Sequence, residues 1–191
     1  SRAPGLLGLH VALTGAPFTG ADAIALGFAD HYVPHAHLEE FTADLIADGV
    51  EHAVGAHAQE PPPSSLAAQR EWIDHCYAGD TVTDIVAALR EHEAGPAKDA
   101  ADLIATRSPI ALAVTLAAVR RAAALPSLDE VLMQEYRVSS ASLRSHDLVE
   151  GIRAQLVDKD RNPQWSPSSL AAVTEADVQA YFEPADPDLT F

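Results

Sequence analysis

One cysteine, Cys76, stands alone in 191 residues. No intramolecular disulfide can form, and a structural thiolate zinc site lacks its sister ligands. Cations are scarce as well. Twelve Lys and Arg face 28 Asp and Glu, leaving a formal net charge of −16. Nucleic-acid backbones and anionic membranes are bound through clustered Lys and Arg, so neither is a partner expected of the chain as a whole. No run of about 18 uninterrupted apolar residues occurs, which removes a membrane-spanning helix. Signatures of nucleophilic and phosphate chemistry are missing too: there is no G-x-S-x-G elbow, no G-x-x-x-x-G-K-[ST] loop and no G-x-G-x-x-G. Among nine histidines the helix-spaced H-E-x-x-H is absent. His31, His35 and His37 therefore read as solvated loop residues, and no metal site is expected.

What is present is globular in character. Hydrophobic residues make up 48% and charged residues 21%, a balance that disfavours disorder at a length able to bury a core without staples. A lone thiol fits a reducing compartment, so the expected location is cytoplasmic, or the mitochondrial matrix if the source is eukaryotic. The chain opens Ser1-Arg2-Ala3-Pro4 without Met, so the lack of a targeting peptide carries little weight.

The periodicity is overwhelmingly helical. Leu6, Leu9 and Leu13 share a helical face that Gly15 and Pro17 close. Thr19-x-x-Asp22 resembles a capping box for a helix ending at Gly27, Phe28–Val33 reads as a short strand, and His37–Asp48 as a third helix. Residues 50–69 are rich in Ala, His and Pro, with Pro61-Pro62-Pro63 forbidding a continuous helix, and read as a loop or linker. Helices follow at 70–77, 82–93, 97–106, 110–124, 127–145 and 146–157, with Asp80 or Thr81, Ser108, Ser127 and Thr174 as caps and Pro109 at a first helical position. Asp158–Ser166 is a charged loop. Pro163 and Ser169 stand where a calcium loop would need Gly and Glu, which removes that reading. Cys76 reads as a small buried hydrophobe. Glu135 and Glu150 read as helix-surface charges rather than an acid–base pair.

One stretch is more specific. Ser145-His146-Asp147-Leu148-Val149-Glu150-Gly151-Ile152-Arg153-Ala154, followed by Asp158-Lys159-Asp160-Arg161-Asn162-Pro163-Gln164-Trp165, resembles the C-terminal signature of the crotonase (enoyl-CoA hydratase/isomerase) superfamily. Glu135-Tyr136-Arg137, Trp72-Ile73-Asp74-x-Cys76, the D-K-D-x-x-P-x-W loop and the closing Asp188-Leu189-Thr190-Phe191 resemble its 3-hydroxyisobutyryl-CoA hydrolase branch. Upstream, Ala12-Leu13-Thr14-Gly15 and Ala21 to Leu26-Gly27 resemble a helix pair of the same superfamily.

The resemblance implies a mainly α chain, the C-terminal helical part of an α/β crotonase (ClpP/crotonase-like) fold. Residues 1–49 would end the crotonase core, 50–69 would form a Pro/Ala-rich loop or linker, and 70–191 a C-terminal helical, oligomerisation region. The family's oxyanion-hole glycines, catalytic glutamate and F-P-D-x-G acid precede the A-L-T-G helix, so no catalytic residue is expected in this chain. The implied activity is hydrolysis of an acyl-CoA thioester, 3-hydroxyisobutyryl-CoA above all, in valine degradation. Catalytic groups would come from an N-terminal half present as a separate chain or missing segment. Lys159 and Trp165 are the candidate CoA contacts, no cofactor is needed because CoA belongs to the substrate, and a homo-oligomer is expected. The alternatives are an enoyl-CoA hydratase or isomerase, and a non-catalytic helical oligomerisation module with Ile110, Val114, Ala117 and Leu116 as its apolar stripe.

Overall fold

The computed structural model describes residues 3–191, and helices dominate them. Among the described residues eleven α-helices succeed one another: α1 Leu7–Thr14, α2 Gly20–Ala25, α3 Leu38–Asp48, α4 Val50–His57, α5 Arg70–Cys76, α6 Val82–Glu91, α7 Gly95–Ala105, α8 Pro109–Ala122, α9 Leu128–Leu143, α10 His146–Ile152 and α11 Glu175–Gln179. A π-helical turn, Arg153–Val157, prolongs α10. No strand forms among the described residues. The segment expected to be one, Phe28–Val33, contributes an isolated bridge, in which Gln59 N–H donates to the Tyr32 carbonyl at 2.9 Å.

The helix starts follow local chemistry. Thr19, Thr81 and Thr174 each accept the backbone N–H of an aspartate three residues on, and that aspartate returns a bond to the threonine N–H. These are reciprocal capping boxes made with the shorter acid. Ser108, Ser127 and Ser145 cap through the side chain alone. Gly15 and Gly27 end their helices at φ +56° and +71°, a conformation glycine enters without a Cβ penalty.

The chain divides into two compact units, one joining Gly15–His75 to the opening residues up to Val11, the other joining Cys76–Phe191 to Ala12–Thr14. In the first, Asp22 organises the polar interior. It accepts from Ser64 Oγ at 2.6 Å and from the Leu66 N–H at 3.1 Å. The expectation of a loop over 50–69 is thereby corrected in part: Val50–His57 is helix α4. Gly49 at φ +88° turns the chain between α3 and α4, and His57 Nε2 lies 2.8 Å from Asp44 Oδ2 across that hairpin. The prolines begin only at Pro61, after α4 has ended, so they do not oppose it.

In the second unit α6 packs on α7 and α8, and α8 on α9 and α11. Val82, Ile85, Leu89, Ala97, Ala101 and Ile104 are buried, as is Cys76, which was expected there. A second cluster gathers Ile110, Val114, Ala118 and Phe182, flanked by Ala117, Val138, Val178 and Tyr181. This corrects the stripe proposed for oligomerisation. Ile110, Val114 and Leu116 are buried within their own unit, and over Ile110 and Val114 the segment after α11 folds Phe182 back. The apolar side chains left exposed lie elsewhere, among them Leu128, Leu132 and Leu143 on α9, and Leu148, Val149, Ile152, Leu156 and Val157 along α10 and the π turn.

Candidate functional site

The signature over 145–165 forms one built object, a helix that templates the loop following it. Asp147 and Glu150 are three residues apart and so share a face of α10. Gln164 and Ser166 are two apart in an extended segment and so point their N–H groups to one side. The two spacings mate. Gln164 N–H donates to Glu150 Oε1 at 2.7 Å and Ser166 N–H to Asp147 Oδ1 at 2.8 Å. Between them the Trp165 ring lies over Gly151, about 3.4 Å from where a Cβ would stand, and its Nε1–H donates to the Thr106 carbonyl at 3.1 Å.

Arg153 is the hub of the loop's far end. Its Nε and Nη2 donate to the two Glu150 oxygens at 2.9 and 2.8 Å, while Nη1 reaches Asp158 at 2.6 Å and Asp160 at 2.7 Å. The Arg153 guanidinium and the Gln164 N–H hold the Glu150 carboxyl down at about 2. Arg153 is itself raised above its ordinary value by Glu150, Asp160 and Asp158, and Asp160 is lowered by Arg153 and the Asn162 N–H. The π turn makes this geometry, since Asp158 N–H donates five residues back to the Arg153 carbonyl at 2.8 Å, widening the last turn. Arg161 N–H closes onto the Ala154 carbonyl at 3.0 Å, and Ala154 is fully buried.

Lys159 sits at the apex of this wrap, exposed, at φ +58°, with Arg161 at φ +55°. Two non-glycine residues in the left-handed region cost on the order of 1 kcal/mol each, and such strain persists where surrounding contacts over-determine it. Here Arg153 supplies those contacts by drawing Asp158 and Asp160 inward. The neighbouring acids are thus engaged elsewhere, and Lys159 forms no ion pair among the described residues.

Trp165 faces the other way. With Ser108, Ile110, Val114, Asp147, Ile152 and Tyr181 it lines an apolar groove of about 550 Å³, a volume in the range of small-molecule sites. The groove's buried polar end is Asp147, which accepts from the Ser108 hydroxyl, from Ser166 N–H and faces His146 Nδ1 at 3.0 Å. The loop therefore carries both sequence-proposed contacts but does not bring them together: Trp165 lines the groove and Lys159 does not. Neither Glu135 nor Glu150 lines the groove. Sequence reasoning missed Asp147, Ser108 and Arg153 as site residues. For Asp147 and Arg153 the signal was present only as the D-x-x-E-G-x-R-A spacing, and for Ser108 only as a helix cap.

The fold these helices define is the helical C-terminal part of a crotonase. The structure superposes over its full length on 55% of a chain described as a carnitinyl-CoA dehydratase from Mycobacterium thermoresistibile, with a TM-score of 0.92 and 71% identity. A family model described as enoyl-CoA hydratase/isomerase matches residues 1–182, and the chain belongs to that family. It is 36% identical over 196 residues to a mitochondrial 3-hydroxyisobutyryl-CoA hydrolase of Danio rerio, covering 97% of this chain and 51% of the relative. It is also 36% identical over 200 residues to small ribosomal subunit protein mS47 of Arabidopsis thaliana, covering 97% of this chain and 49% of that one. The chain thus spans about half the length of the curated relatives it matches.

Proposed function

We propose that the chain is the C-terminal half of a CoA-thioester hydrolase acting on 3-hydroxyisobutyryl-CoA. The observation that carries this reading is the similarity to a relative of that name, which runs along nearly all of this chain and half of the relative. In the proposed reaction, water adds to the thioester carbonyl and the C–S bond breaks, releasing the acid and the CoA thiol. Backbone N–H donors hold the carbonyl oxygen as it gains negative charge, and a glutamate activates the attack. Both belong to an N-terminal half, and the exposed Leu148, Val149, Ile152, Leu156 and Val157 are the face that half would cover. No separate cofactor takes part.

This chain's own contribution is to bind the substrate. Lys159, held away from its acidic neighbours, is the contact for a CoA phosphate, which an ammonium suits as a point charge. Trp165 contributes packing at the groove. The test combines the chain with an N-terminal half and measures thiol release from 3-hydroxyisobutyryl-CoA. Release that falls when Lys159→Ala is introduced, through a raised KM, supports the reading; absence of release with both halves folded and associated refutes it.

A second reading has an observation of its own, the 71% identity to the chain described as a carnitinyl-CoA dehydratase. It keeps the binding role of this half and changes the reaction to dehydration of a 3-hydroxyacyl-CoA. Appearance of the conjugated enoyl thioester by absorbance, without thiol release, selects it.

A further inference from the structure

Asp147 is the buried carboxylate of the second unit among the described residues, and the hydrolytic reading gives it no role. The residue is 7% exposed. One oxygen accepts the hydroxyl of Ser108, the N-cap of α8; the other accepts the Ser166 N–H and faces His146 Nδ1. Three chain segments meet on it: the start of α8, the start of α10, and the return of the loop. Ser108 is fixed in turn by accepting the Ala111 N–H at 3.2 Å, so Asp147 is oriented from a rigid element rather than from the loop it holds.

We propose that Asp147 is a positioning residue that sets the seat of the 158–166 loop, and through it the presentation of Lys159 to a CoA phosphate. The second clause rests on the binding role given to Lys159 above. Arg153 holds the apex through Asp158 and Asp160, Glu150 holds the loop at Gln164 and Asp147 holds it at Ser166, so Glu150 is shared between the apex and the loop's return. With the Asp147 point lost, the return pivots on Glu150, Trp165 leaves Gly151, and the apex bearing Lys159 shifts through the Glu150–Arg153 pair.

The test uses hydrogen exchange of single backbone amides in the 191-residue chain together with titration by CoA. In Asp147→Ala the Ser166 amide should exchange at least tenfold faster while Gln164, still held by Glu150, keeps its protection. The Kd for CoA should rise at least fivefold. Asp147→Asn should restore both, because its amide oxygen accepts the Ser166 N–H and its amide nitrogen can donate to the Ser108 oxygen. Unchanged Ser166 exchange in Asp147→Ala overturns the proposal. So does faster exchange with an unchanged CoA Kd when Lys159→Ala does weaken CoA. If Lys159→Ala has no effect on CoA either, the binding role of Lys159 fails while faster Ser166 exchange still establishes the seat. Should Asp147→Ala not fold, Ser108→Ala removes the anchor in α8 together with that helix's cap while leaving Asp147 in place, and it must quicken Ser166 exchange or the proposal is refuted.

Discussion

Replacing Asp22 with alanine removes one acceptor from four donors at once. The carboxylate takes the Thr19 N–H at 2.9 Å, the Thr19 hydroxyl at 2.7 Å, the Ser64 hydroxyl at 2.6 Å and the Leu66 N–H at 3.1 Å. Thr19 is exposed, so its groups return to water and the loss there is that of a helix cap, about 1 kcal/mol. The Leu66 N–H is in a buried bond, and an orphaned buried donor costs about 1–3 kcal/mol. The expected destabilisation is therefore about 2–4 kcal/mol, which at a urea slope of about 2 kcal/mol/M lowers the midpoint by about 1–2 M. The pH dependence has a definite sign. Burial pushes the Asp22 carboxyl up, but the Ser64, Thr19 and Leu66 donors prevail and hold it at about 2, below the ordinary value of about 3.9. A depressed folded-state pKa contributes stability that is complete above the unfolded value and is lost as pH falls through the folded one. The difference between parent and Asp22→Ala midpoints should be full at pH 7, begin to shrink below about pH 4 and be small near pH 2. Equal midpoints at pH 7, or a gap that persists undiminished at pH 2, would refute the reasoning.

Three other substitutions separate packing from backbone effects. Phe182→Ala empties the cluster of Ile110, Val114 and Ala118 and removes the ring beneath Arg121 at 4.1 Å. It should cost about 3–5 kcal/mol, read as a lowered denaturation midpoint. Gly5→Ala would place a Cβ 2.2 Å from Asp74 Oδ1 at φ +53° and displace the acceptor of the Leu6 N–H; the melting temperature should fall by an amount matching 2 kcal/mol or more, on the order of 4–8 °C. Gly151→Ala should do the reverse. Its Cβ would meet the Trp165 ring at an ordinary 3.4 Å, so the gain in helix propensity, about 0.5–1 kcal/mol, survives and thermal unfolding should move upward.

Helix caps were legible because a cap is a local object. Thr19 with Asp22 and Thr174 with Asp177 lie three residues apart, and nothing distant decides whether they bond. Ser108-Pro109 was equally legible as the start of α8. What the same serine does next was not, since its hydroxyl goes to Asp147, 39 residues along the chain, and no spacing rule links the two. The apolar periodicity of α8 announced a buried face without saying what buries it; Phe182, beyond three further helices, could as well have been a partner molecule. Val50–His57 was misread from composition. Its alanines are good helix formers, and the prolines that suggested a loop begin four residues after the helix has stopped. At Phe28–Val33 an apolar run too short to discriminate periods was given to a strand, whereas only Tyr32 forms a bridge.

The signature itself divides into residues that hold and a residue that is held out. Asp147, Glu150, Arg153, Asp158 and Asp160 all bond within the chain, and the buried Ala154 lets the loop backbone close on its carbonyl. Around the apex four carboxylates outnumber the cations Arg153, Lys159 and Arg161, within a chain of net charge −16. No long-range field of this half can therefore draw in an anionic ligand, and a charge beyond about 8 Å from Lys159 is screened at physiological salt in any case. On the role proposed for Lys159, attraction for a CoA phosphate acts at contact, from an ammonium whose acidic neighbours are turned away. The backbone that carries this ammonium is fixed by two backbone-anchoring carboxylates, an arginine bonded to three carboxylates and two strained loop residues.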